Sequence, residues 1–120
     1  MSRYWLAMLG VVICVNASAE VVGQRVFIKC QACHSLNGQG NGIGPDLQGI
    51  YEQPAATRKD FRYSSALLKS NIVWTRQNLS EFLQDPQVKV PGNRMAFSGL
   101  DSEEETQAVI DYLEKGNCEP

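Results

Sequence analysis

The chain has 120 residues, 11 basic and 13 acidic side chains, a net charge of −2 and a single histidine. That length allows one domain with a modest core and excludes two. The acid excess excludes nucleic acid as a partner.

Residues 1–19 read as an export signal. Arg3 gives the positive start, Trp5 to Val15 is an apolar run, and Ala17-Ser18-Ala19 is a small-residue cleavage site. The run is 11 residues, short of the roughly 18 to 20 that span a bilayer. Ile13 before Cys14 departs from the small residue that lipid-anchor motifs place there. The expectation is cleavage before Glu20, export to the periplasm, and a single domain over 20–120 with no membrane span. Loss of Arg3 makes the remaining charge 10 minus 13, or −3.

Val21, Val22, Val26 and Phe27 recur at helical spacing and predict an amphipathic helix running up to Cys30. It leads into Cys30-Gln31-Ala32-Cys33-His34. C-x-x-C-H reads as a covalent c-type haem attachment site: two thiols reach the two vinyl groups of one porphyrin, and the next histidine ligates iron. The same two cysteines could form a redox dithiol or half a zinc site. Zinc needs four ligands and no second Cys/His pair exists, while a dithiol of the thioredoxin kind needs a βαβ alternation that is absent.

After His34 the periodicity stops. Gly38, Gly40, Gly42 and Gly44, followed by Pro45, predict a long loop. Tyr63 to Ser70 predicts a short helix, and Ser80 to Gln84 another, stopped by Asp85-Pro86. Val88 to Leu100 carries Pro91-Gly92 and Gly99 and reads as irregular, so Met95 sits in a loop. Ser102 and Glu105 form a capping box for a closing helix with Ala108, Val109, Tyr112 and Leu113 on its apolar stripe, ending before Gly116. No stretch alternates as a strand, and there is no internal repeat. The chain is therefore expected to be all-α.

Met1 and Met8 lie in the export signal, which leaves Met95 as the leading candidate for a second side-chain ligand to haem iron. A thioether is a soft donor that favours ferrous iron and raises the reduction potential. Tyrosine or lysine stays open as a substitute, with Lys89 the lysine nearest in sequence; the other reading of Met95 is a gap-filling side chain.

Several segments resemble one family in order and over about Gly23 to Leu113. They are Gly23-x-x-x-Phe27, the C-x-x-C-H motif, Gly44-Pro45-Asp46-Leu47-x-Gly49, Phe61-x-Tyr63-Ser64, Trp74, Leu79 with Phe82-Leu83, Pro86, and Pro91-Gly92-Asn93-Arg94-Met95-x-Phe97. Together they look like class I cytochrome c of the mitochondrial and alphaproteobacterial type. The resemblance implies a small fold of three to five helices and long loops wrapped around one covalently bound haem c. It implies thioethers from Cys30 and Cys33, His34 and Met95 as iron ligands, and a Pro45 carbonyl that accepts a hydrogen bond from His34. It further implies Tyr63 and Trp74 directed at a buried propionate, and Gly23 and Phe27 packed on Tyr112. One departure is Gln53, at the position where the family commonly places a propionate-neutralising arginine; Arg58 is the substitute to examine. A second is the missing lysine ring, although Arg25, Lys29, Lys89 and Arg94 remain candidates to frame the haem edge.

The function expected is a one-electron carrier between redox proteins, not an enzyme. The alternatives are a haem subunit of a larger dehydrogenase or oxidase complex, and a haem peroxidase or ligand sensor, which lacks a second histidine for acid/base work. Cys118 is the thiol left over. It reads either as a disulfide link to a partner or as an incidental cysteine near the chain end.

Overall fold

The computed structural model describes residues 17–40 and 42–115, and the expectations for Cys14 and Cys118 fall outside them. Five helices follow in order: α1 Ala17–Phe27, α2 Ser65–Leu68, α3 Arg76–Gln84, α4 Pro86–Lys89 and α5 Glu103–Lys115. Among the described residues there is no strand, only one isolated bridge between Pro54 and Val73. No described helix is long and apolar enough to cross a membrane.

α1 and α5 cross at a glycine. A Cβ built on Gly23 would lie 2.4 Å from the Ala108 carbonyl oxygen and 2.8 Å from Tyr112 Cβ, so the two backbones meet where any side chain would separate them. One turn on, Phe27 packs against Tyr112 with ring centroids 5.4 Å apart and planes tilted by 48°. Val26, Phe27, Leu100, Val109 and Leu113 form the core of this crossing. Burial of each such side chain contributes about 1.5–3 kcal/mol. A second cluster of Trp74, Leu79, Phe82, Val90 and Ile110 lies between α3 and α5.

Local chemistry sets the helix ends. The Ser102 hydroxyl accepts from the Glu105 N–H at 3.2 Å, the start of α5 that the capping pattern predicts. α1 stops at Phe27, before the motif rather than at Cys30; residues 28–34 continue as hydrogen-bonded turns, with the His34 N–H donating to the Cys30 carbonyl at 2.9 Å. α3 begins at Arg76, one turn earlier than its apolar pattern predicts, because the Thr75 hydroxyl caps the Asn78 N–H at 3.2 Å. Asp85-Pro86 both ends α3 and starts α4. The Asp85 carboxylate accepts from the Val88 N–H, and proline is tolerated in a first turn, where its missing N–H removes no intrahelical bond. Part of the stretch expected to be irregular is thus helical.

Candidate haem site

One cavity of about 790 Å³ is walled by residues of both core clusters. Its walls include Cys30, Cys33, His34, Pro45, Tyr63, Trp74 and Met95, so every residue singled out from the sequence as a cofactor contact reaches the same space. The volume is in the range of small-molecule and cofactor sites. Phe27, Leu79, Phe82, Val109 and Leu113 supply apolar wall from both clusters.

The turn after α1 presents both thiols and the imidazole. Burial pushes the Cys30 thiol pKa up, Lys29 opposes this, and Cys33 adds to it. His34 Nδ1 lies 2.7 Å from the Pro45 carbonyl oxygen. A carbonyl only accepts, so Nδ1 carries the proton and Nε2 keeps its lone pair. Gly44 makes this contact possible: a Cβ there would be 2.7 Å from His34 Cε1, 2.8 Å from Nδ1 and 2.9 Å from the Cys33 carbonyl oxygen.

Residues 35–40 and 42–48 fold around Asp46, whose side chain is fully buried. Its carboxylate accepts from Ser35 Oγ at 2.8 Å, the Gly38 N–H at 3.0 Å and the Gln48 N–H at 2.9 Å. Desolvation pushes the Asp46 pKa up, but the hydrogen bonds from Gln48, Ser35, Gly38 and Gly40 outweigh it and hold the group below its usual range. Arg58 lies 3.5 Å from the same carboxylate and donates to the Gln48 carbonyl. Both Gln53 and Arg58 line the cavity.

Tyr63 accepts the Arg58 N–H at 3.2 Å through its hydroxyl. Burial raises the Tyr63 pKa, which the Arg58 hydrogen bond partly offsets, so the phenol keeps its proton. Trp74 is buried against Phe82 at a centroid distance of 5.0 Å, and its backbone pairs with Glu52 and Gln53. On the remaining wall, the Met95 N–H donates to Asn93 Oδ1 at 2.9 Å. Lys89, the alternative ligand, pairs with Glu81 and is not part of the wall.

Lining residues carry four cations, Lys29, Arg58, Arg62 and Arg94, against one carboxylate, that of Asp46. Arg25, expected at the edge of this site, lies instead beside a shallow depression with Val21 and Ile28 on the outer face of α1. Gly44, Asp46 and Asn93 belong to segments that carry the resemblance, yet the sequence alone does not assign their site roles. Asp46 and Asn93 each combine a bond to the N–H two residues on with bonds to groups further back in the chain, and Gly44 lies against His34.

The comparisons with known proteins agree with this geometry. The cytochrome c family model matches residues 21–117. Cytochrome c2 iso-2 of Magnetospirillum molischianum is 41% identical over 87 residues, covering 72% of this chain and 90% of its own. Cytochrome c2 of Rhodoblastus acidophilus is 40% identical over 92 residues, covering 76% and 86%. The solved structure of cytochrome cH from Methylobacterium extorquens matches with a TM-score of 0.76 and 34% identity, over 80% of this chain and 97% of that one. The chain therefore belongs to the cytochrome c family, as a class I c-type cytochrome with one covalently attached haem c. The cavity fits that group: two thiols and an imidazole on one turn, apolar walls, and an excess of cations for a ligand bearing carboxylates.

Proposed function

We propose that the protein carries single electrons between redox proteins of the periplasm, after removal of residues 1–19. In this reading Cys30 and Cys33 hold the haem as thioethers, and His34 and Met95 ligate its iron. One observation carries it: the chain's only histidine and, without residues 1–19, its only methionine line one cavity together with both cysteines.

The surroundings support these roles. Proton placement on Nδ1 leaves Nε2 as the donor to iron, and the Pro45 carbonyl raises its basicity. The bound haem supplies a one-electron couple. With His34 and Met95 both holding the iron, electrons would be exchanged without an open coordination site, and the soft Met95 donor would favour the reduced state. Tyr63, Trp74 and Arg58 line the cavity, where they would offer two polar hydrogens and a cation to a haem propionate. Exposed Lys29, Arg62 and Arg94 at the cavity edge fit partners with an acidic docking face.

The test is an optical spectrum of oxidised and reduced holoprotein, with Met95→Ala alongside. Loss of the methionine-to-iron charge-transfer band only in the variant is expected. An unchanged variant spectrum, or fast and tight carbon monoxide binding to the reduced native protein, overturns the closed His/Met centre.

A further inference from the structure

The amide of Asn93 uses both halves of its side chain at once. It is 8% exposed, and its Nδ2 donates to the Pro86 carbonyl at 2.8 Å and to the Val90 carbonyl at 2.9 Å. Its Oδ1 accepts the Met95 N–H at 2.9 Å. One planar group thus joins the first residue of α4, the residue that caps its end and the backbone of Met95. Gln87, on α4 itself, braces the same turn from outside: its Nε2 donates to the Asn93 carbonyl at 2.9 Å, and its Oε1 accepts the Gly92 N–H at 3.3 Å.

We infer that Asn93 is the positioning residue for Met95, clamping the methionine loop to α4 so that the thioether stays at the iron. The inference rests on the ligand role of Met95 proposed above. The physical argument concerns populations. A thioether is a weak ligand, so a competing ligand enters from whatever fraction of molecules has the loop displaced. The Asx-type bond from Asn93 to Met95 reduces that fraction because the Pro86 and Val90 carbonyls hold the amide still. Neither α4 nor the haem pocket alone fixes the loop. The amide couples them.

The test uses oxidised holoprotein and imidazole as the competing ligand, followed by loss of the methionine-to-iron charge-transfer band. Asn93→Ala is expected to bind imidazole about tenfold more tightly than the native protein, the factor equivalent to one well-placed buried hydrogen bond. Asn93→Ser, a milder change that folds more readily, shifts affinity in the same direction by a smaller factor. Thr106→Ala is the control: the residue is buried, its hydroxyl donates to the Ser102 carbonyl just before α5, and it does not line the cavity. This control is expected to lower the unfolding midpoint and leave imidazole affinity unchanged. Affinity within twofold of native in both Asn93 variants overturns the inference, as does an equal shift in Thr106→Ala at matched loss of stability. A native protein with no charge-transfer band overturns the Met95 ligand assignment itself, and the clamp with it.

Discussion

The Gly44 Cα hydrogen faces the edge of the His34 ring, and a methyl group in its place would sit 2.7 Å from Cε1. The imidazole has nowhere to retreat, because its Nδ1 is already 2.7 Å from the Pro45 carbonyl. Gly44→Ala is therefore expected to rotate the ring, lengthen the bond to Pro45 and cost about 1–3 kcal/mol, the usual range for overpacking. The yield of haem-attached protein and the reduction potential report it. An unaltered potential with native yield contradicts the packing argument.

Asp46 predicts a pH dependence whose sign follows from its lowered pKa. A carboxylate that is more acidic folded than unfolded stabilises the fold above its unfolded value of about 3.9, and that contribution is lost as pH falls through the folded value. Asp46→Asn places an amide NH₂ among N–H and O–H donors. It should lower stability at neutral pH by about 1–3 kcal/mol, with the gap to the native protein closing under acid conditions. Denaturant unfolding of holoprotein at pH 7 and pH 3 measures both; a gap that widens in acid contradicts the assignment.

Gly23→Ala tests the helix crossing separately from the haem. Its methyl would meet the Ala108 carbonyl at 2.4 Å, a backbone atom that cannot swing aside. The expected result is a lower unfolding midpoint, by about 1–3 kcal/mol, with the visible spectrum of the folded protein unchanged. A spectrum altered before unfolding begins would mean that the crossing and the iron site are coupled.

Exposed cations at the cavity edge predict salt-sensitive encounters. Arg62→Glu and Arg94→Glu should slow electron exchange with an acidic redox partner at low ionic strength, and the deficit should shrink as salt screens the surface. Stopped-flow rates at two ionic strengths provide the measurement. Equal slowing at both would point to a structural effect instead. Arg94 also donates to the Arg62 carbonyl at 2.9 Å, so the double variant is not expected to be additive.

What the sequence made legible was the chemistry that is local along the chain. C-x-x-C-H needs only neighbouring residues, and the Ser102 to Glu105 box is an end signal spanning one turn. The early start of α3 was not legible, since Arg76, Gln77 and Asn78 carry no apolar stripe and Thr75 acts through its hydroxyl alone. α4 was hidden because proline reads as a stop. Asp85 shows that the same dipeptide both ends one helix and begins another. Asn93 and Gly44 stood inside recognisable segments, but their roles did not, because the Pro86 carbonyl and the His34 ring they meet lie seven and ten residues back in the chain. Arg58 stood between: the resemblance flagged a missing cation at Gln53, and only the fold showed that Arg58 lines the same cavity.

The cavity also bears on the order in which this protein is made. Apolar side chains from both core clusters, Phe27, Val109 and Leu113 from one and Leu79 and Phe82 from the other, face the 790 Å³ cavity, so a haem bound there would complete the core as well as carry the electron. Circular dichroism of the haem-free polypeptide is therefore expected to show less helix and a lower unfolding midpoint than the holoprotein. A contiguous five-residue attachment signal can be read on a strand that has not yet folded. Once tethered, the haem stays with the chain through every later unfolding event. Its return to the core is an intramolecular closure at high effective concentration, independent of how dilute the protein becomes.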